Sequence, residues 1–150
     1  GMEFLRTKKG DSNSYRSPDY INQIDWSLKA KYPQVWQYYR GLILLRKTHP
    51  AFRMATDAKI REHLQFLPVP YDDVIAYSLA GHPGENSWQT ITVIFNAARE
   101  ARTVHLPSKN WVVIVDKTHA GITSLGEIAG DTIAVPPISA LILVDAESFK

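Results

Sequence analysis

Two changes of hydrophobic pattern, near Pro33 and near Leu64, restrict the folds open to this chain of 150 residues. Before Pro33 the residues are polar and show no sustained period, whereas between Pro33 and Leu64 apolar side chains recur at helical spacing. Beyond Leu64 the period falls to two, which is typical of strands with one buried face. These patterns predict a β-rich domain preceded by a loop and one or two helices.

The middle segment predicts a helix over residues 33–48. Proline suits the first helical turn, and the following apolar positions share one face: Val35, Trp36, Tyr39, Leu42 and Ile43. The helix should end near Thr48, because Pro50 cannot continue it. A second, shorter helix is predicted from about Asp57 to Leu64, with Thr56 or Asp57 as its N-cap.

The last part of the chain predicts an antiparallel β-sandwich of about 85–90 residues, because strand patterns recur every 8–12 residues without intervening helices. The predicted strands are residues 74–79, 90–95, 102–106, 111–115, 132–135 and 138–144. Turn signals separate them at His82-Pro83-Gly84, Asn96-Ala97, Pro107-Ser108 and Gly130-Asp131. Pro136-Pro137 predicts a strand edge or a bulge, since neither residue can donate to a ladder.

Composition excludes several classes of function. With 45% hydrophobic and 21% charged residues the chain is not expected to be disordered, and a net charge of +2 predicts no nucleic-acid or membrane partner. The absence of cysteine removes disulfides and thiolate zinc sites, and the five histidines lack metal-ligand spacing. No glycine-rich phosphate loop and no apolar stretch near 18 residues is present. No cofactor or metal is therefore expected.

Two sets of residues are candidates for chemistry or binding. Four carboxylates lie in the polar segment and could serve either as an acid–base pair or as loop braces: Glu3, Asp11, Asp19 and Asp25. Trp88 and Trp111 could present rings that stack on sugars, although core packing is the preferred interpretation for Trp111. His105, between Val104 and Leu106, is predicted to point to solvent.

Several segments resemble one known family. Residues 3–15 (EFLRTKKGDSNSY) and 19–26 (DYINQIDW) resemble the loop after the eighth barrel strand of pullulanase-type α-glucan debranching enzymes, in glycoside hydrolase family 13. Residues 38–43 and 45–53 resemble the eighth barrel helix and its exit. The β-rich remainder resembles the family's C-terminal sandwich more loosely, through residues 93–97 and 135–141.

The resemblance implies a division of the chain. Residues 1–53 would be the end of a (β/α)8 barrel, with an active-site loop at 3–32 and a helix at 33–48, and residues 54–150 the C-terminal β-sandwich domain. The implied fold class is predominantly β: an antiparallel sandwich of the α-amylase family, preceded by a loop and one or two helices left over from a TIM barrel.

The resemblance also implies a function. The parent enzyme would be a retaining hydrolase that cleaves α-1,6 branch linkages in pullulan, starch or glycogen with two carboxylates. In the family these follow earlier barrel strands, so they would lie upstream of Gly1 and no catalytic residue is assigned here. The fragment itself is expected to be inactive, with a structural β domain. Its partners would be the α-glucan and the missing N-terminal barrel; the compartment stays open, with the cytoplasm preferred.

Four loop residues are predicted to contact substrate. Asp19 and Asn22 match loop positions that contact sugar hydroxyls in the family, and Tyr20 and Trp26 would stack on sugar rings. Gln23 stands where some relatives have arginine, so any contact there would be weaker. Two alternatives remain: a carbohydrate-binding module, or an interaction domain without a link to glucans. The apolar stripe of helix 33–48 should be exposed or otherwise covered, and self-association is one way to cover it.

Overall fold

The computed structural model describes residues 1–81 and 87–150, so the turn predicted at His82-Pro83-Gly84 lies outside the described residues. Within these ranges the helices are α1 (Asp19–Asn22), α2 (Ser27–Lys31), α3 (Pro33–Thr48) and α4 (Asp57–His63). The strands are β1 (Leu64–Phe66), β2 (Val74–Ala80), β3 (Thr90–Asn96), β4 (Arg102–His105), β5 (Asn110–Val115), β6 (Gly126–Ala129), β7 (Thr132–Val135) and β8 (Ser139–Asp145).

The strands form two antiparallel sheets, which confirms the predicted fold class. The larger sheet has six strands in the order β1-β2-β3-β8-β5-β6, and β4 pairs with β7 in the smaller one. Strand β3 lies between β2 and β8 over nearly its whole length, with Ile94 opposite both Ala76 and Leu141. Strand β8 also pairs with β5, so sequentially distant strands make up the centre of the sheet.

The six-stranded sheet is buried on both faces. One face packs against β4 and β7 through a cluster that includes Ile94, Leu143 and Val135. The opposite face packs against α3 and its exit through a cluster that includes Ile91 and Leu45. Because both faces are covered, β3 and β8 consist largely of buried residues instead of alternating ones.

Helix α3 is fixed to the sandwich at two points. The hydroxyl of Tyr38 donates to the carbonyl of Asp116 at 3.0 Å. Gly41 allows a close approach, because a Cβ at that position would lie 1.8 Å from the carbonyl oxygen of Ala120. On the side of α3 that faces away from the sandwich, Ile43 is 57% exposed and Leu44 is 43% exposed. The predicted apolar stripe is thus largely half-buried, and Ile43 is its exposed member.

Two polar groups connect the sandwich across its loops. The amide of Asn96, 2% exposed, donates to the carbonyls of Glu100, Val135 and Pro136. Arg102 on β4 binds the carboxylate of Asp73 with both Nε and a terminal nitrogen, at 3.2 and 2.9 Å. The hydrogen bond from Arg102 holds the pKa of Asp73 below its usual range.

Candidate functional site

The N-terminal segment, residues 1–32, is a braced loop with little apolar interior. It contains 3-10 turns at Met2–Phe4 and Ser14–Arg16 besides α1 and α2, where the sequence pattern had indicated irregular structure. The turn at Met2–Phe4, in which Phe4 is 2% exposed, contacts both α2 and α3, and the Lys29 amine lies 4.1 Å from the Trp36 ring centroid. The segment therefore contacts α3 near Trp36 and leaves Ile43 and Leu44 exposed.

Asn22 organises this loop from within. Its amide nitrogen donates to the carbonyls of Ser14 and Ser17 at 2.8 and 2.6 Å, and its amide oxygen accepts from the Lys8 amine at 2.5 Å. The guanidinium of Arg6 donates to the backbone carbonyl of Asn22. Asn22 is half-buried, and its hydrogen bonds brace the loop. The sugar contact predicted for it stays a prediction.

The loop carboxylates at positions 11 and 25 act as turn braces. Asp11 accepts from the Ser17 hydroxyl and from the backbone of Asn13, and the bond from Ser17 is the main cause that lowers its pKa. Asp25 accepts from the hydroxyl and backbone of Ser27, which lower its pKa in the same way. A general acid needs a raised pKa, so neither carboxyl has the electrostatic environment of one.

Three of the predicted contact residues point to solvent. Tyr20 is 60% exposed, with the Lys9 amine 5.2 Å from its ring centroid. Trp26 is 68% exposed, and its ring centroid lies 5.6 Å from that of the buried Phe4 ring. Asp19 begins α1, and its carboxylate makes no hydrogen bond or ion pair within the described part of the chain. The loop thus presents two aromatic faces and one available carboxylate.

The two tryptophans of the β domain do not present a binding surface. Trp88 is 3% exposed and stacks on His49 with ring centroids 3.4 Å apart, while Phe149 covers it at 5.9 Å. Trp111 is fully buried and its indole nitrogen donates to the Ser108 carbonyl at 3.0 Å. Core packing of Trp111 is confirmed, and a sugar platform built on these two rings is wrong.

A cavity of about 650 Å³ lies between the first two turns of α3 and the turn after β5. The sequence pattern did not indicate it, because its lining comes from segments far apart in the chain. The residues around it are Gln34, Val35, Gln37, Tyr38, Tyr39, Lys117, Thr118, His119 and Ala120. Aromatic and amide side chains therefore meet at the junction of helix and sandwich.

Residues 1–81 and 87–150 contain neither a cluster of metal-binding side chains nor a membrane-spanning helix. In those ranges no group of three or more histidine and carboxylate side chains could hold an ion. None of the helices there is long and apolar enough to cross a bilayer.

Comparison with known proteins gives consistent matches. Residues 60–119 match the family described as pullulanase, all-beta domain. Pullulanase of Bacillus subtilis (strain 168) is 42% identical over 108 residues, which cover 72% of this chain and 15% of that protein. The structure of pullulanase from Bacillus acidopullulyticus matches with a TM-score of 0.91 and 40% identity, over 97% of this chain and 18% of that one. Pullulanase complexed with maltotetraose, from an Anoxybacillus species, matches with a TM-score of 0.84 and 35% identity, over 97% of this chain and 20% of that one.

These matches and the antiparallel sandwich define the class: the chain carries a β-sandwich of the type described as pullulanase, all-beta domain. Within that class it belongs with the pullulanases, and it spans a fifth or less of the length of the relatives named above. The resemblance that the sequence motifs indicated is therefore confirmed.

Proposed function

We propose that this chain forms part of a pullulanase-like hydrolase that cleaves α-1,6-glucosidic branch linkages in pullulan, starch or glycogen. In this proposal the loop at residues 3–32 lines the substrate cleft, and the sandwich stabilises the enzyme without taking part in the chemistry. The observation that carries the proposal is the exposed group of Asp19, Tyr20 and Trp26 on a braced loop, in a chain that matches pullulanases.

The loop group suits an α-glucan chemically. A pyranose ring offers C–H groups to an aromatic face and hydroxyl groups to a carboxylate acceptor. Tyr20 and Trp26 supply the faces, and Asp19 supplies the acceptor. Asn22 sets the path of the backbone between them through its bonds to Ser14 and Ser17. Pullulanase from an Anoxybacillus species, which shares this fold, has been solved with maltotetraose.

The proposal divides the chain at residue 53, with residues 1–53 as the end of a barrel and residues 54–150 as the sandwich domain. The open side of α3, with Ile43 and Leu44, would then pack against the rest of a barrel. In the isolated chain the same side would be free to pair with a second copy. Sedimentation of the chain with and without Leu44→Lys checks this, because a dimer held by that side should dissociate in the variant.

Hydrolysis is proposed to depend on carboxylates outside this chain. Retaining glycosidases need an acid with a raised pKa and a nucleophile about 5 Å from it. The two loop carboxyls that accept most hydrogen bonds, Asp11 and Asp25, have lowered pKa values. Incubating the purified chain with pullulan should release no maltotriose. Release that persists through further purification, and that disappears in Asp19→Asn, would refute the proposal.

Loop binding has its own test. Trp26→Ala should weaken maltotetraose binding by about fivefold or more, since stacked aromatic contacts contribute about 0.5–1.5 kcal/mol beyond buried area. Tyr15→Ala is the matched control, because Tyr15 is 75% exposed on the same loop and outside the proposed contact group. Equal affinity of the wild-type chain and the Trp26 variant would count against the loop as a contact site.

A further inference from the structure

The cavity between α3 and the turn after β5 is a second candidate for ligand binding. Its volume of about 650 Å³ lies within the range of small-molecule sites, roughly 300–1,000 Å³. We propose that it binds a short segment of α-glucan, separately from the loop at residues 3–32. The ligand class rests on the proposed function, whereas the existence of the site rests on the geometry of the cavity alone.

The cavity combines an apolar surface with available polar groups. Val35, Tyr38 and Tyr39 supply the apolar and aromatic part from α3. Gln34 and Gln37 are three residues apart, so their amides lie on one face of the helix. An aromatic surface edged by amides is suited to a sugar, which needs both C–H contacts and hydrogen bonds to hydroxyls.

The polar groups at the rim are not used elsewhere in the described residues. The side chains of Gln34, Gln37 and Lys117 make no hydrogen bond or ion pair within residues 1–81 and 87–150. His119 directs Nδ1 towards the Thr118 hydroxyl at 2.9 Å, which leaves Nε2 for a ligand. The lining has two uncharged amides and one side chain with a permanent positive charge, Lys117, so the rim fits a neutral polyhydroxyl ligand better than an anion.

The cavity is also held in shape before any ligand binds. The Tyr38 hydroxyl is bonded to the carbonyl of Asp116, and the carboxylate of Asp116 accepts from the backbone of Thr118 and of His119 at 2.7 Å each. The close approach of Gly41 to Ala120 fixes the distance between its two sides. A preformed site loses less conformational entropy on binding, so even a weak sugar contact can be measured.

A neighbouring cavity shows what a surface without these properties looks like. It has a volume of about 410 Å³ and is lined in part by Phe95 and Ile138. Two of its polar side chains are already bonded within the protein: Asn96 to three carbonyls and Ser139 to the carbonyl of Pro136. Lys117 lines both cavities, so the first cavity is distinguished by the available amides of Gln34 and Gln37, which the neighbouring cavity lacks.

Calorimetric titration of the 150-residue chain with maltotetraose tests the proposal. Gln37→Ala and Tyr39→Ala should each weaken binding at one site by about fivefold or more. Phe66→Ala is the control, because Phe66 is 68% exposed on the edge strand β1 and is not part of the cavity lining. Circular dichroism verifies folding, and if Tyr39→Ala fails to fold, Gln37→Ala and His119→Ala decide the result.

The outcomes separate this proposal from the loop proposal. Weakening by the cavity variants, with or without an effect of Trp26→Ala, supports the cavity site. Weakening by Trp26→Ala alone keeps the loop proposal and overturns the cavity site. The absence of any maltotetraose binding overturns both sites, and displacement of maltotetraose by inorganic phosphate would show that the cavity is an anion site instead.

Discussion

The N-terminal loop and the β-sandwich are stabilised by different interactions. Among residues 1–32, Phe4 and Ile21 are the buried apolar side chains, and the loop is otherwise held by hydrogen bonds around Asn22. The sandwich buries two apolar clusters, one on each face of the six-stranded sheet. The sandwich therefore provides most of the stability, while the loop exposes the groups that we propose contact ligands.

The difference follows from the size of each contribution. A net intramolecular hydrogen bond contributes about 0.5–1.5 kcal/mol, whereas full burial of a large apolar side chain contributes about 1.5–3 kcal/mol. Substitutions in the sandwich should consequently change global unfolding, and substitutions in the loop should change local opening and binding.

Trp111→Ala should be the most destabilising change. The side chain is fully buried between the sheets and its indole nitrogen is bonded to the Ser108 carbonyl, so truncation leaves both a cavity and an unpaired acceptor. We expect a loss of about 3–5 kcal/mol in the free energy of unfolding by urea. His105→Ala, on an exposed position of β4, should change it by less than about 0.5 kcal/mol. A similar loss of unfolding free energy in the two variants would contradict the burial of Trp111 between the sheets.

Gly41→Ala should destabilise the chain although alanine favours helices. In an exposed helix this change stabilises by about 1 kcal/mol. Here the new Cβ would lie 1.8 Å from the Ala120 carbonyl oxygen, so α3 must move away from the sandwich. A cost of about 1–3 kcal/mol is expected from urea unfolding. Arg40→Ala, exposed on the same helix, is the control, and a gain of stability in Gly41→Ala would disprove the close contact.

Asp73→Asn should change how stability depends on pH. Because Arg102 lowers the pKa of Asp73 in the folded state, the pair stabilises the fold above the unfolded pKa of about 3.9 and loses this effect as pH falls through the folded value. The variant should lose stability at neutral pH and show a shallower decline on acidification. Asp72→Asn is the control, since Asp72 is exposed at the same turn. Parallel pH profiles for wild type and Asp73→Asn would exclude a contribution of this pair.

Asn22→Ala should have the smallest global effect and a clear local one. Loss of the bonds to Ser14, Ser17 and Lys8 should speed amide hydrogen exchange within residues 8–22, while the unfolding midpoint of the sandwich stays within error. Asn13→Ala is the control, because Asn13 is exposed and contributes only its backbone to the loop. Unchanged exchange in the loop would show that Asn22 does not brace it.

The sequence alone was sufficient to predict the elements with strong hydrophobic periodicity. Helix α3 has the predicted bounds, Thr56 caps α4 with a bond of 3.3 Å from the Lys59 backbone, and the exposure of His105 is confirmed. Strands β1 and β6 were not predicted, because β1 has three residues and β6 begins at Gly126, and both pair at the edges of the sheet. Their existence depends on the strand beside them and not on their own pattern.

The candidate sites depend on contacts between distant segments, which a linear pattern does not contain. Trp88 is covered because His49 and Phe149 come to it from elsewhere in the chain. The cavity forms because Gly41 lets α3 approach the turn at Ala120, which places glutamines of the helix beside that turn. The loop residues were identified from motif resemblance, and their contact with substrate stays a prediction.

Mapping maltotetraose contacts by NMR on the isotope-labelled chain tests the division of roles most directly. The account predicts that amide signals around Asp19, Tyr20 and Trp26 shift with added ligand, with a separate set at the cavity on α3, while the central strands β3 and β8 stay unchanged. Shifts concentrated in the sandwich strands, with the loop signals stationary at saturating ligand, would contradict it.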